Sequence, residues 1–226
     1  VNTEAYLAYG GLTWDDVEVV EFGGYSDSLS GLTSGQTDAA FASMTASGAF
    51  QAEASPRGLV WPPIDPEDED AISRMMEVAP YFRTMTATEG AVAGSTPEGL
   101  PTGGYPYPAL IAFADQDENL VYNMTKAMVE LYPDYQGKAP GIDGWALDKQ
   151  SFQWVVPYHD GAIRYFEEAG VWSDEAQAHN DRLISRQEAL AAAWEKLKAE
   201  DPDDWEAAWA EARREALKAG GFEVVF

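Results

Sequence analysis

The sequence predicts an α/β fold closed by a C-terminal helical hairpin, and three observations carry that reading. In the first hundred residues short apolar runs alternate with helical patterns, the signature of βα units and a largely parallel sheet. Near the middle an apolar run, Ala109 to Ala114, leads into Leu120, Met124, Ala127, Met128 and Leu131 at helical spacing. In the last third Ser173 opens one long helix, and Asp201-Pro202 reads as the cap and first turn of another.

Taken in order, Thr3 to Tyr9 reads as a helix closed by Gly10-Gly11. "LTWDDVEVVEF" gives a turn and a strand, Val17 to Phe22. Ser26 caps a helix over Asp27 to Ser34, with Gly35 at its end. "TDAAFASM" is a second strand, "TASGAFQAEA" a weak helix, and "GLVWPP" a third strand stopped by Pro62 and Pro63. Asp65 to Met76 begins with proline and acids, the charge that a helix N-terminus favours. "YFRTMTATEGAV" alternates hydroxyl and apolar residues and reads as extended. Ala93 to Gly104, rich in Gly, Pro, Ser and Thr, reads as a linker, with Gly103-Gly104 allowing a turn. Beyond Leu131, "DGAIRYFEEAGVW" is a short helix ending at Gly170. The final helix places Trp205, Trp209, Ala212 and Ala216 on one face, expected to pack on the main body.

Composition narrows the function. With 39 acidic against 14 basic residues the formal net charge is −25. Nucleic acid and anionic membrane reward cationic surfaces, so both are excluded as partners. The acidity serves solubility, a high-salt habitat, or an acidic docking face for a basic partner. Cysteine is absent, which excludes disulfides, thiolate metal sites and cysteine nucleophiles. No apolar run reaches the roughly 20 residues of a membrane span. "VNTEAYLAYGG" does not read as a signal peptide, and a chain opening at Val1 reads as processed, trimmed or a fragment.

Candidate chemistry is sparse. Tyr158-His159-Asp160 suggests an acid–base group of a hydrolase; alternatively Asp160 simply caps the helix that follows. His179, beside Gln177, Asn180 and Asp181, reads as a solvated face. "DPEDED" at Asp65 to Asp70 lacks the calcium-loop pattern, and no zinc, P-loop or dinucleotide motif is present, so no metal or cofactor is expected. Strand ends are more telling, because ligands of open parallel sheets sit beyond them. Ser43-Met44-Thr45 places two hydroxyls and backbone N–H groups where a helix begins, either an anion site or a plain cap. Trp61 and Tyr25 lie at two further strand ends. Arg83, among apolar and hydroxyl neighbours, is either a carboxylate clamp or an ordinary surface or ion-paired arginine.

Three stretches carry a resemblance. "AYGGLTWDDVEVVEFGGYSDSLSGLTSGQTDAAFASM" resembles the second lobe of TAXI-family solute receptors of TRAP (tripartite ATP-independent periplasmic) transporters. "YPYPALIAFADQDENLVYNMTKAM" resembles that family's return crossing to its first lobe, and "VPYHDGAIRYFEEAGVW" its close. The resemblance spans about Thr3 to Trp172 and implies a two-lobed type II periplasmic-binding-protein fold with an incomplete first lobe. It implies a second lobe over 1–102, a return crossing and first-lobe remainder over 103–172, and a hairpin extension over 173–226. The implied function is not enzymatic. It is periplasmic capture of a small carboxylate, an amino acid or a dicarboxylate such as glutamate or 2-oxoglutarate, for delivery to TRAP membrane subunits. The contacts implied are Ser43, Met44, Thr45, Trp61, Tyr105 and Tyr107, with Tyr25 and Arg83 behind them; Tyr105 and Tyr107 either touch solute or brace the hinge. A hydrolase using Tyr158, His159 and Asp160, and a ligand-sensing module of a signalling system, are the alternatives.

Overall fold

A computed structural model describes residues 1–92, 96–106 and 109–224. The chain divides into two compact units, one of residues Val1–Tyr105 and Tyr135–Gly144, the other of Pro106–Asp134 and Trp145–Phe226.

The first unit contains α1 (Asn2–Tyr9), α2 (Tyr25–Ser34), α3 (Ser47–Glu53), α4 (Glu69–Val78), β1 (Arg83–Ala87) and β2 (Leu100–Gly104). Helix ends follow local chemistry. Asp68 caps α4 through the Ala71 N–H, and Gly35, at φ 80°, closes α2 in the left-handed conformation that glycine adopts without penalty. Thr13 and Asp16 form a reciprocal capping box around the 3₁₀ turn Trp14–Asp16.

The core lies where α1 crosses α4. Ala5, Ile64, Met75, Ala79 and Phe82 are buried, with Tyr6, Phe41, Tyr81 and Tyr105 packed around them. Tyr6 meets Phe82 edge-on at 5.5 Å, and Tyr105 stands edge-on to both Tyr81 and Phe82 at 5.3 Å, the arrangement that aromatic quadrupoles favour. Arg74 of α4 donates to the Ala8 and Tyr9 carbonyls at 3.0 and 2.9 Å, binding the open end of α1 to its neighbour.

Sheet content departs from the sequence reading. Among the described residues the sheet is a single antiparallel pair, β1 with β2, in the register Arg83 with Gly104 through Ala87 with Leu100. The largely parallel sheet is not formed: Val17 to Phe22, Thr37 to Met44, Gly58 to Trp61 and Ala109 to Ala114 carry no ladder. A strand exists only through its partner, and these stretches have none, so Val60 (83% exposed), Ile111 (79%) and Phe113 (81%) face solvent. Part of the expected linker is instead β2. Gly103 and Gly104 do not turn the chain there; they make room. A Cβ on Gly103 would stand 3.1 Å from the Tyr6 hydroxyl and 3.3 Å from Phe82, and one on Gly104 would strike the Met85 sulfur.

The second unit is helical: α5 (Glu118–Glu130), the single turn α6 (Tyr132–Tyr135), α7 (Asp160–Glu168), α8 (Asp174–Glu200) and α9 (Trp205–Ala219). Asp117 and Ser173 cap α5 and α8. The α9 cap is Asp204 rather than Asp201, which ends α8 at φ 45°. The hairpin tryptophans pack on each other, with Trp194 of α8 at 5.6 Å from Trp205 and 5.2 Å from Trp209.

The closest packing is between α5 and α7. Gly161 faces the α5 backbone so tightly that a Cβ would lie 2.3 Å from the Glu118 carbonyl and 2.8 Å from the Tyr122 nitrogen. A charged lattice fastens the same pair: Lys126 reaches Glu168 at 3.0 Å, Arg164 pairs with Glu118 and stacks 4.0 Å over the Tyr122 ring, and the Tyr122 hydroxyl donates to Glu168. Beneath it Phe152, Tyr158, Phe166 and Trp172 interlock edge-to-face.

Two outcomes follow from this pair of helices. Gly161→Ala forces backbone apart and costs about 1–3 kcal/mol, whereas Gly144→Ala, where a Cβ meets nothing within 4 Å, stays within about 0.5 kcal/mol; urea denaturation measures both. The Tyr122 hydroxyl, then Lys126, hold the Glu168 carboxyl below its ordinary range. A depressed carboxylate stabilises the fold above its unfolded pKa of roughly 4.3 and loses that contribution as pH falls through the folded value. Glu168→Gln therefore shows a shallower loss of stability on acidification than the parent chain, read by denaturation across that window.

Candidate functional site

The turn at 43–45 is built by main-chain bonds that cross the first unit. The Ala91 N–H donates to the Met44 carbonyl at 2.9 Å, and the Trp61 indole N–H donates to the Ala91 carbonyl at 3.0 Å. Gly90, at φ 103°, lies so close that a Cβ would stand 2.6 Å from the Met44 carbonyl oxygen. The next residue, Val92, holds φ 67°, a costly conformation for a β-branched side chain, with its N–H on the Glu53 carboxylate at 2.9 Å. Glu89 receives the Gly141 N–H at 2.7 Å.

On this base stand the hydroxyls. The Ser43 N–H donates to the Tyr25 hydroxyl at 2.9 Å, and the Ser43 and Thr45 hydroxyls share a hydrogen bond of 3.0 Å. A pair of hydroxyls consumes one hydrogen between them, so the second remains to donate outward, as does the Tyr25 phenolic hydrogen. Ser43, Thr45 and Tyr25 are all exposed. The arrangement offers neutral O–H donors on a turn tied through Ala91 to the Trp61 indole, which suits a carboxylate held by hydrogen bonds rather than by a cation.

The sequence singled out Tyr25, Ser43, Met44, Thr45 and Trp61, and the fold brings these five together. Two others lie elsewhere. Arg83, at the turn into β1, donates to the Pro80 and Phe82 carbonyls at 2.6 and 2.7 Å. Tyr105 belongs to the aromatic core, its hydroxyl accepting from Asn2 at 3.3 Å. Tyr107 falls outside the described residues. The Ser43 and Thr45 hydroxyls do not cap the following helix: α3 has only seven residues, and its cap is Ala46, with no side-chain bond. The residues that sequence reasoning missed are Glu53, Glu89, Gly90 and Ala91. The stretch holding Glu89, Gly90 and Ala91 reads as extended from sequence alone, and most of these residues act through backbone atoms, which residue type does not reveal.

The family model of the NMT1-like family matches residues 1–170. The chain belongs to the NMT1-like family. This is a periplasmic-binding-protein-like family, with a solute-binding function in general, and the helix-rich α/β architecture with its small sheet is compatible with such a domain. Membership implies a small-molecule ligand and an extracytoplasmic location. No curated protein and no solved structure matches the chain. The match ends at Gly170, before α8 begins, so the helical hairpin lies beyond it.

A binding-protein family directs attention away from bond-breaking chemistry, and the polar trio of this NMT1-like chain has structural work. His159, not Asp160, caps α7: its Nδ1 accepts the Gly161 N–H at 3.0 Å. Nε2 therefore carries the hydrogen and donates to the Gln116 carbonyl at 3.1 Å. The Tyr158 hydroxyl donates to the Ser151 carbonyl at 2.9 Å. The stretch read as a solvated face is partly interior, since Asn180 is buried and accepts the Tyr158 N–H at 2.7 Å, while half-buried His179 meets the Trp154 carbonyl. Among the described residues no group of acids and histidines is placed to hold a metal, and no helix is long and apolar enough to cross a membrane.

As a cap, His159 has a measurable signature. His159→Ala lowers stability by about 0.5–2 kcal/mol, with His159→Asn, a competent capping residue, recovering most of it in the same denaturation assay.

Proposed function

We propose that this protein is an extracytoplasmic solute receptor of the two-lobed type II kind, allied to the TAXI receptors, that captures a small organic anion and passes it to a TRAP-type membrane permease. The anion is an amino acid or dicarboxylate, in the class of glutamate or 2-oxoglutarate. The observation that carries this reading is the convergence of Tyr25, Ser43 and Thr45 on a turn tied through Ala91 to Trp61 in a chain of a solute-binding family. The outward hydrogens of Ser43 or Thr45 and of Tyr25 donate to the carboxylate, and Trp61 and Met44 enclose the carbon skeleton. Tyr105 and Tyr107 belong to the proposed contact set, with Arg83 behind them. No bond is made or broken in this cycle.

Thermal-shift screening of the whole chain against amino acids and mono- and dicarboxylates tests the proposal. One class stabilises, by about 2.7 kcal/mol when present at about 100 times its Kd. The paired substitution Ser43→Ala with Thr45→Val weakens that ligand by about tenfold or more, through loss of both hydroxyls. Absence of any shift at millimolar anion sinks the receptor reading, and turnover of the stabilising compound moves the protein to the enzyme class.

A further inference from the structure

A cavity of about 330 Å³ opens within the first unit, with Trp61 among its lining residues, at the lower end of the roughly 300–1,000 Å³ typical of small-molecule sites. Leu29 and Leu32 of α2 and Ala49 and Ala52 of α3 supply its walls. The hydroxyls nearby offer little to a ligand, because Thr33 donates to the Leu29 carbonyl at 3.0 Å and Ser55 to the Ala52 carbonyl at 2.7 Å. Leu29, Leu32, Ala49 and Ala52 thus form an aliphatic wall, and Asp38 and Trp61 also line the cavity.

One cation stands at the rim. Arg57 reaches the Leu32 carbonyl, at the end of α2, at 3.3 Å, and the Asp38 carboxylate at 3.4 Å. Gly35 admits it: a Cβ there would lie 2.6 Å from the Arg57 Nη1. Both bonds are long, the Asp38 side chain is fully exposed, and a guanidinium carries five N–H donors in a planar fork suited to a carboxylate.

We infer that this cavity is a second small-molecule site, which takes a short aliphatic monocarboxylate with its chain among Leu29, Leu32, Ala49 and Ala52 and its carboxylate on Arg57 in competition with Asp38. Dicarboxylates bind more weakly, because a second charge carried inward meets the Leu and Ala wall and the spent Thr33 and Ser55 hydroxyls, and among the described residues no second Lys or Arg lines the cavity. The site uses neither Ser43 nor Thr45, although Trp61 lines it as well as the receptor contacts.

Calorimetric titration of the whole chain with the straight-chain acids from acetate to octanoate provides the test. Affinity rises about fourfold per methylene until the chain fills the cavity, then levels. Alcohols of equal length bind about tenfold or more weakly, a gap that a charge-assisted hydrogen bond produces. Arg57→Met erases the acid-over-alcohol preference and keeps the chain-length dependence. Ala52→Leu moves the plateau to a shorter acid; should circular dichroism show that variant unfolded, Ala39→Leu at the exposed edge of the same cavity does so instead. The Ser43→Ala, Thr45→Val pair leaves the series unchanged. Affinity flat with chain length, a preference that survives Arg57→Met, or loss of the series in the Ser43/Thr45 variant overturns the inference.

Discussion

The peptide of Met44 is the point on which the first unit's loop cluster depends. Its carbonyl accepts the Ala91 N–H, the Ala91 carbonyl in turn accepts the Trp61 indole, and Gly90 permits the approach by lacking a side chain. Three loops separated in sequence are tied through this chain of donors and acceptors. The left-handed Val92 is tolerated because Glu53 holds its N–H from the far end of α3. The hydroxyls of Ser43 and Thr45 are therefore mounted on a fixed base and need not be organised by a ligand, which reduces the ordering cost of binding.

Helices were largely legible in the sequence and strands were not, for one physical reason. A helix satisfies its own backbone and advertises its ends with Asp117, Ser173, Asp68 or Gly35, all local signals. A strand is a statement about a neighbour. "VEVVEF" and "ALIAF" have the apolar character of strands yet meet no partner, while "LPTGG", with the composition of a linker, pairs with β1 across its whole length. Its glycines answer to Tyr6, Phe82 and Met85, residues from elsewhere in the chain. Such information is absent from any local window.

The site shows the same division. Tyr25, Ser43, Thr45 and Trp61 were found because side-chain type carries chemistry. Ala91 and Gly90 escaped because their contributions are a carbonyl, an N–H and an empty space. Tyr105 shows the reverse: an aromatic beside proline at a crossing invites a ligand role, and the packing of its ring edge-on to Tyr81 and Phe82 is invisible in the sequence. Gly161 was quoted within a motif without its function being visible, since the α5 backbone that excludes a Cβ there lies some forty residues away.

The acidity of the chain gives its few arginines a particular use. Arg74 donates to the last carbonyls of α1, Arg57 to the end of α2, Arg83 to carbonyls just past α4, and Arg182 to Gly221 beyond α9. Arg74 and Arg57 thereby place positive charge against the negative end of a helix. Most carboxylates are consequently left to solvent rather than to ion pairs, and the net charge of −25 stands. An anion approaching such a surface is repelled at long range, the more so at low salt. Capture must then rest on short-range donors with fixed geometry: paired hydroxyls at one place, a guanidinium already anchored to a helix end at another. On the proposed reading the hydroxyl route strengthens with ionic strength through relief of the repulsion, whereas a carboxylate on Arg57 is an ion pair that salt also screens.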